Sequence, residues 1–288
     1  MIMQPFMFHH HRNLTLVIKT LLLCCCWAPL QAWAQPRTGT QGHGSSDTSF
    51  FYTSFDGVKI HYEVHGKGRP VLLLHGFMGS AASWKKTALY QDLLQSGYML
   101  VVPDLRGNGQ SDKPHNADAY SNDAEAKDLV GLMEQLNLAR YAVVGYSRGS
   151  IITARLLVLD KRVEKAVMGG MGADFTNPNW PRRIMFYRAL SGDTVPELAG
   201  MVKYVHESGL DQVALACQQK EQPSTSKEEL GRVSQPVLVI CGDKDIDNGN
   251  ADTLASLIPH AVRATVPGDH GGAVRTPEFS REVMVFLH

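Results

Sequence analysis

The sequence has no excess of charge of either sign. Its 28 Lys and Arg residues equal its 28 Asp and Glu residues, and 44% of its 288 residues are hydrophobic. Proteins that hold nucleic acid carry a basic surface, and disordered chains combine high charge with few apolar residues. The composition therefore predicts a folded domain that binds no nucleic acid. We expect a small, neutral or mildly charged molecule as its partner, and a monomer or a weak homodimer.

The N-terminal region lacks an apolar run long enough to cross a membrane. Its apolar stretch, residues 21–27, is far shorter than the roughly 20 residues that span a bilayer. Basic residues precede that stretch, and an Ala-Trp-Ala sequence ending at Ala34 matches a cleavage site. Residues 1–34 are therefore predicted to be a signal peptide of a secreted or periplasmic protein without a stable membrane anchor. Bulky Leu23 disfavours a lipoprotein signal, because a small residue should precede the modified cysteine.

Cysteine is scarce beyond this leader. Three of the five cysteines lie at residues 24–26, so the chain after Ala34 keeps only Cys217 and Cys241. Two cysteines cannot form a multi-disulfide framework, and a single bridge or two unpaired buried thiols are the alternatives. Residues 35–48, rich in Gly, Ser and Thr, predict a disordered tether, which leaves residues 49–288 as one domain.

Short apolar runs recur along residues 49–288. Runs at 50–55 and 59–64, separated by Asp56-Gly57, predict a β-hairpin. The run at 70–74 is wholly apolar, as in a strand that is buried on both faces of a parallel sheet. Further runs alternate with helical stretches at residues 98–102, 141–144, 163–168, 236–240 and 261–266. This alternation predicts an α/β fold with a doubly wound, mostly parallel sheet.

The interval from residue 172 to 233 breaks the alternation. It far exceeds an ordinary connection of about 4–6 residues, and long insertions in compact folds often act as lids. We therefore predict a helical lid inserted after the sixth strand. For each apolar side chain in it, packing onto the body of the domain is the alternative to binding substrate. The candidate substrate-binding residues are Trp180, Phe186 and Tyr187, with Met185, Met201 and Tyr204 as further candidates.

Residues 145–149, Gly-Tyr-Ser-Arg-Gly, form a G-x-S-x-G motif between a strand-like and a helix-like stretch. In that context the motif predicts a sharp strand-to-helix turn with Ser147 at its apex. The two glycines would prevent clashes where the backbone doubles back. The turn would expose the Ser147 hydroxyl and place the Arg148 N–H at the start of a helix, where it could stabilise an oxyanion.

A second motif, His75-Gly76-Phe77, directly follows the apolar run at 70–74. Its glycine would let the backbone turn beside Ser147, so the Phe77 N–H is the second candidate for an oxyanion hole. We expect His75 to fix this loop by hydrogen bonds rather than to carry protons.

Five motifs together resemble the α/β-hydrolase-fold enzymes, in particular their lid-bearing, esterase-like branch with a serine nucleophile. The motifs follow the order of that family and occupy residues 75–77, 104–114, 145–149, 242–245 and 268–270. The resemblance implies a catalytic triad of Ser147 as nucleophile, Asp245 as acid and His270 as base. Asp243 and Asp247 are rivals of Asp245.

The activity that the resemblance implies is hydrolysis of a small-molecule carboxylic ester by acyl transfer. This reaction needs no cofactor or metal, and no group of His, Cys and Asp has convincing metal-site spacing. Two alternatives remain: cleavage of another bond in the same fold (C–C, lactone, amide or small peptide), and a ligand-binding receptor that kept the triad. Epoxide hydrolases and haloalkane dehalogenases of this fold carry Asp at the position of Ser147, which disfavours those activities.

Two charged groups near the motifs have structural interpretations. Asp104 and Arg106 are expected to hold a loop by ion pairing and hydrogen bonds, and Gly107-x-Gly109 lacks the spacing of a dinucleotide-binding motif. Arg148 is expected to lie along its helix toward solvent. If it points inward instead, it would favour an acidic group on the substrate.

Overall fold

A computed structural model describes residues 48–288 of the protein. The predicted signal peptide, residues 1–34, lies outside the described residues. The same holds for the predicted tether at 35–48, except for Thr48. Both therefore stay predictions.

The described domain is built on one sheet of eight strands. Its spatial order is β1-β2-β4-β3-β5-β6-β7-β8. β2 pairs antiparallel with β1 and β4, and every other neighbouring pair is parallel. The predicted hairpin entry and the doubly wound, mostly parallel sheet are thus confirmed. In chain order the strands are β1 (Ser49–Thr53), β2 (Lys59–His65), β3 (Arg69–Leu74), β4 (Tyr98–Pro103), β5 (Tyr141–Tyr146), β6 (Val163–Gly169), β7 (Val237–Gly242) and β8 (Ala261–Val266).

Ten α-helices accompany the strands within residues 48–288, and none of them has the length and apolar character of a membrane span. They are α1 (Ala81–Trp84), α2 (Ala88–Gln95), α3 (Ala124–Gln135), α4 (Arg148–Leu159), α5 (Pro181–Leu190), α6 (Ala199–Glu207), α7 (Gln212–Lys220), α8 (Lys227–Leu230), α9 (Ala251–Ser256) and α10 (Pro277–Leu287).

The helices cover both faces of the sheet because its central strands are apolar on both. Successive side chains of a strand point to opposite faces. In β3, Leu72 and Leu74 belong to the core that α3, α4 and α9 cover, whereas Val71 and Leu73 belong to the core on the opposite face, which α1, α2 and α10 cover. All four side chains are fully buried, as the unbroken apolar run predicts.

The helices α5–α8 form an insertion between β6 and β7, where residues 172–233 broke the sequence pattern. The insertion has a small core of its own, to which Leu190, Val205 and Leu215 contribute. Gln218 of α7 connects it to the loop after β4, because its Nε2 donates a hydrogen bond to the Arg106 carbonyl at 2.6 Å. The sixth strand is therefore followed by a helical layer.

The two cysteines of the described domain form no disulfide. Cys217 lies in α7 and Cys241 in β7, and both are buried free thiols. Of the two alternatives that the sequence left open, two unpaired thiols is the correct one.

Candidate active site

Ser147 lies at the sharp turn between β5 and α4, with φ 54° and ψ −119°. Non-glycine residues rarely adopt a positive φ, and such strain persists only where the surroundings enforce it. Here the Ser147 N–H donates to the Gly169 carbonyl at 2.8 Å. The Ser150 hydroxyl contacts the carbonyls of Gly145 and Gly169 at 3.0 and 2.8 Å. The end of β6 thus holds the turn in place.

The two motif glycines are required by close backbone contacts. A Cβ on Gly145 would lie 2.3 Å from the Gly149 carbonyl oxygen, and a Cβ on Gly149 would lie 2.2 Å from the Leu74 carbonyl oxygen. Both distances are far below a van der Waals contact, and the atoms that they meet are rigid backbone. The helix after Ser147 can therefore approach β3 and β5 only with glycine at these positions.

A hydrogen-bonded chain joins Ser147, His270 and Asp245. Ser147 Oγ lies 2.9 Å from His270 Nε2, and His270 Nδ1 lies 2.9 Å from Asp245 Oδ2. The Asp245 side chain is 2% exposed and that of His270 is 27% exposed. An ionised carboxylate only accepts hydrogen bonds, so Nδ1 carries the imidazole proton and leaves Nε2 to accept from the serine hydroxyl.

The rivals of Asp245 have other partners. Asp243 Oδ1 accepts a hydrogen bond from the Gly268 N–H at 2.8 Å. Asp247 lies 3.7 Å from Arg182 at the surface. Asp245 is therefore the acidic residue of this loop that the structure brings to the imidazole.

Two further residues lie against His270 and were not singled out from the sequence. The Tyr146 hydroxyl donates to the His270 carbonyl at 2.7 Å, and the two rings lie 5.5 Å apart. Asn248 Nδ2 lies 3.1 Å from the Gly170 carbonyl and 3.3 Å from His270 Nδ1. Tyr146 occupies a variable position of the G-x-S-x-G motif, and no local pattern marks Asn248, so only the tertiary structure reveals them.

The loop at His75-Gly76-Phe77 lies beside the serine. A Cβ on Gly76 would lie 3.2 Å from Ser147 Cβ, so glycine lets the loop approach the turn. His75 Nδ1 donates to the Gly76 carbonyl at 2.8 Å, and Nε2 accepts from the Leu105 N–H at 3.0 Å. Burial lowers the pKa of His75, which favours the neutral ring that this donor and acceptor pattern needs. His75 fixes the loop, as expected.

The two amides of the predicted oxyanion hole lie at the same pocket. Phe77 and Arg148 line it together with Ser147 and His270. Within residues 48–288, neither backbone N–H donates a hydrogen bond to a protein acceptor. Arg148 is also the first residue of α4, whose N-terminal N–H groups favour negative charge. Both amides are thus available to an oxygen bound at Ser147.

Arg148 does not lie toward solvent, and that prediction was wrong. Its side chain is 3% exposed and forms an ion pair with Glu125 of α3, which is 1% exposed. Its Nη2 also contacts the Gln218 carbonyl at 3.2 Å. A buried guanidinium requires a partner of opposite charge, and Glu125 supplies one that lies too far away in the sequence to be anticipated.

Asp104 and Arg106 hold loops as predicted, although they do not pair with each other. Asp104 lies 2.8 Å from His61 Nδ1 and accepts from the Ala81 N–H at 2.6 Å. Arg106 is fully buried and forms ion pairs with Asp128 and Asp56 at 2.6 and 2.7 Å. These contacts raise the pKa of Arg106 further above its ordinary value, despite its burial.

The pocket beside Ser147 has a volume of about 260 Å³ and combines residues of the sheet with residues of the insertion. Trp180 and Phe186 line it, as predicted, and so does Met201. Tyr187 does not, which corrects its prediction as a substrate-binding residue. It packs against the core of the insertion instead, because adjacent residues of a helix point about 100° apart. Met185 and Tyr204 also lie outside the lining.

Residues 69–189 match a protein family described as alpha/beta hydrolase fold. The enol-lactonase from Burkholderia xenovorans LB400 superposes with a TM-score of 0.70 at 20% identity, covering 82% of this chain and 99% of that chain. The esterase EaEST from Exiguobacterium antarcticum gives 0.69 at 21% identity, covering 82% and 98%. Likeness at these identities concerns the fold alone. This chain has the α/β-hydrolase fold, as its five motifs indicated.

Curated relatives match shorter stretches. The non-heme haloperoxidase of Rhodococcus erythropolis is 35% identical over 125 residues, which are 42% of this chain and 43% of the relative. Epoxide hydrolase 3 of Siraitia grosvenorii is 39% identical over 97 residues, 34% of this chain and 30% of the relative. The chain thus spans less than half the length of these relatives. Their names describe different reactions, and those reactions are properties of the relatives alone.

The steric account of the turn predicts that Gly149→Ala destabilises the protein by roughly 1–3 kcal/mol or more, the usual range for overpacking. Gly200→Ala in α6 is the matched control, because a Cβ there meets no atom within 4 Å. This control should stabilise the protein by about 0.5–1 kcal/mol. Urea unfolding of the three proteins measures both changes, and equal stabilities for the two variants would contradict the account.

Proposed function

We propose that the protein is a serine hydrolase that cleaves a small-molecule carboxylic ester through an acyl-enzyme intermediate. The observation that carries the proposal is the chain of two 2.9 Å contacts from Ser147 through His270 to Asp245. It is supported by the strained turn that presents the serine and by the two free amides beside it. Together these groups make up a nucleophile, a base, an orienting acid and an oxyanion site.

In the first half of the proposed reaction, Ser147 Oγ attacks the ester carbonyl carbon while His270 Nε2 takes the hydroxyl proton. Asp245 holds the ring and stabilises the imidazolium. The carbonyl oxygen becomes an oxyanion that accepts hydrogen bonds from the N–H groups of Phe77 and Arg148. As the tetrahedral intermediate collapses, His270 returns the proton to the departing alcohol, and the acyl group remains on Ser147.

In the second half, water attacks the acyl carbon and His270 Nε2 takes a proton from that water. The same two amides stabilise the second oxyanion. When the intermediate collapses, His270 gives the proton to Ser147 Oγ, which releases the carboxylic acid and restores the enzyme. Each proton transfer uses the one nitrogen that faces Ser147, so the reaction requires neither a second base nor a cofactor.

The pocket supports a small substrate. Its volume of about 260 Å³ is at the lower end of the range for small-molecule sites, about 300–1,000 Å³. Phe77, Met171, Trp180 and Phe186 give it apolar walls against which an acyl or alcohol chain could pack. Ser147 at the turn, where epoxide hydrolases of this fold carry Asp, favours ester cleavage over epoxide opening.

The bond that is cleaved has alternatives within the same fold. C–C, lactone, amide and small-peptide hydrolysis could use the same nucleophile and base, and a receptor could use the same pocket without turnover. A panel of p-nitrophenyl esters of graded chain length, beside amide and C–C substrates, separates these possibilities. We further propose, on the basis of the leader-like residues 1–34, that the protein acts after export. Its expected state there is a monomer or a weak homodimer.

The assignment of Asp245 as the acid of the triad predicts different effects for two aspartates of the same loop. Asp245→Asn should lower kcat by about 10³–10⁴-fold, because the amide no longer orients and stabilises the imidazolium. Asp243→Asn is the matched control from the same loop and should stay within a few-fold of the wild type. Ser147→Ala should abolish turnover while the circular dichroism spectrum stays unchanged. Steady-state kinetics on p-nitrophenyl acetate tests all three variants, and a crippled Asp243→Asn would refute the assignment.

The proposed lid function predicts a difference between two neighbouring residues. Phe186→Ala should change the preference between short and long esters by roughly 1–3 kcal/mol per lost apolar contact, because Phe186 lines the pocket. Tyr187→Ala should leave that preference unchanged, because Tyr187 packs within the insertion. The measurement is kcat/KM across a chain-length series. No shift in either variant would mean that the insertion does not select the substrate, and equal shifts in both would mean that lining the pocket does not distinguish Phe186 from Tyr187.

A further inference from the structure

The pocket beside Ser147 is lined by three arginines and by no acidic residue. Among the described residues 48–288, the cations are Arg148, Arg182 and Arg183, and the other polar lining groups are His270, Ser147 and amide side chains. A site of one charge sign, enclosed by apolar side chains, attracts ligands of the opposite sign. Which of these cations can bind a ligand depends on the partners that each already has.

Arg148 is not available, because its charge is already balanced. Its guanidinium pairs with the buried carboxylate of Glu125, and Nη1 contacts Gln222 Oε1 at 3.4 Å. Separating this pair would leave a buried carboxylate without its counterion, which is costly. Arg148 therefore contributes a backbone N–H to the site rather than a free positive charge.

Arg183 has hydrogen bonds but no anionic partner in the described part of the chain. Its Nη1 donates to the carbonyls of Gln219 and Lys220 at 2.8 and 2.7 Å, and Nη2 donates to the Pro178 carbonyl at 2.8 Å. Its Nε is buried and has no hydrogen-bond partner at all. Burial lowers the pKa of Arg183. Glu221 acts in the opposite direction, but it lies beyond ion-pair distance. The guanidinium is thus fixed in position but not neutralised.

Arg182 is a second cation at the same wall of the pocket, and its charge is partly balanced. Its guanidinium carbon lies 5.1 Å from the centre of the Phe186 ring, which also lines the pocket. Its nearest carboxylate, Asp247, is 3.7 Å away, and both side chains are partly exposed, at 35% and 48%. Exposed pairs at this distance are weak, so much of the Arg182 charge remains available to a ligand.

We propose that the substrate is an ester that also carries a carboxylate, and that Arg183, assisted by Arg182, binds this carboxylate. The inference rests on the proposed ester hydrolysis and narrows its substrate class. The carboxylate would supply the negative counter-charge that Arg183 lacks among the described residues. The apolar wall of Phe77, Trp180 and Phe186 would hold the carbon chain between the carboxylate and the reacting ester.

The test compares charged esters with neutral esters of equal length. One set is the monomethyl esters of linear dicarboxylic acids beside methyl alkanoates; the other is the O-acetyl derivatives of ω-hydroxy acids beside alkyl acetates. In at least one set, the charged ester should have a kcat/KM about tenfold to hundredfold higher, as expected for a charge-assisted hydrogen bond. The preference should decrease as salt is added.

Variants in helix α5 then test which residue causes the preference for the charged ester. Arg183→Gln should remove most of it, measured as the ratio of kcat/KM for the charged ester to kcat/KM for its neutral partner, so that a general loss of activity cancels. Arg183→Lys should retain part of it. Arg188→Gln is the matched control, because Arg188 lies on the same helix, pairs with Asp193 and is outside the pocket lining. If Arg183→Gln does not fold, Arg182→Gln and the salt dependence provide the same test.

Different experimental outcomes would refute the carboxylate proposal and the proposed function. Rapid hydrolysis of neutral esters without preference for a charged ester in either set would overturn the carboxylate proposal and leave ester hydrolysis intact. If no ester is hydrolysed, the proposed function fails. Calorimetric binding of the same ester pairs to the Ser147→Ala variant then still decides the carboxylate proposal, which requires tighter binding of the charged member.

Discussion

The positive φ of Ser147 is the constraint on which the site depends. This conformation turns the chain sharply from β5 into α4, and it brings α4 so close to β3 that only glycine fits at residue 149. The same turn presents the hydroxyl toward His270 and makes Arg148 the first residue of the helix. The position of the Ser147 hydroxyl, its contact with His270 and the place of the Arg148 N–H therefore follow from a single backbone geometry.

Buried charges connect this turn to the rest of the domain. Arg148 pairs with Glu125 of α3 and contacts the Gln218 carbonyl of α7, and the Gln218 side chain contacts the Arg106 carbonyl. One polar network thus connects the turn at Ser147, helix α3 on the sheet and the helical insertion. Removing one partner from such a network is costly, because the charge that remains is buried without compensation.

The parts of the structure that local chemistry dictates could be predicted from the sequence. Apolar runs that alternate with helical stretches identify the strands, and the close approach of backbones explains the glycines of the turn. The order of the motifs places Ser147, Asp245 and His270 after the strands β5, β7 and β8 at one edge of the sheet, where the structure brings their side chains together.

The remaining features depend on tertiary contacts that no local pattern encodes. The inward position of Arg148 requires Glu125, 23 positions earlier in the chain. Tyr187 and Phe186 are adjacent aromatic residues, and only the packing of α5 against α6 and α7 decides which of them faces the pocket. Asn248 contacts His270 although its own neighbourhood contains no motif. The arginines of α5 likewise become informative only once their partners are known.

The central claim is that Ser147 forms a covalent acyl intermediate, and rapid mixing with p-nitrophenyl acetate tests it most directly. The account predicts a burst of p-nitrophenol equal to the enzyme concentration when deacylation is the slower half-reaction. Acid quenching at the end of the burst, followed by peptide mass spectrometry, should then locate the acetyl group on Ser147. Turnover of the ester with no acetyl group on Ser147 at any quench time, or with the acetyl group on another residue, would contradict the account.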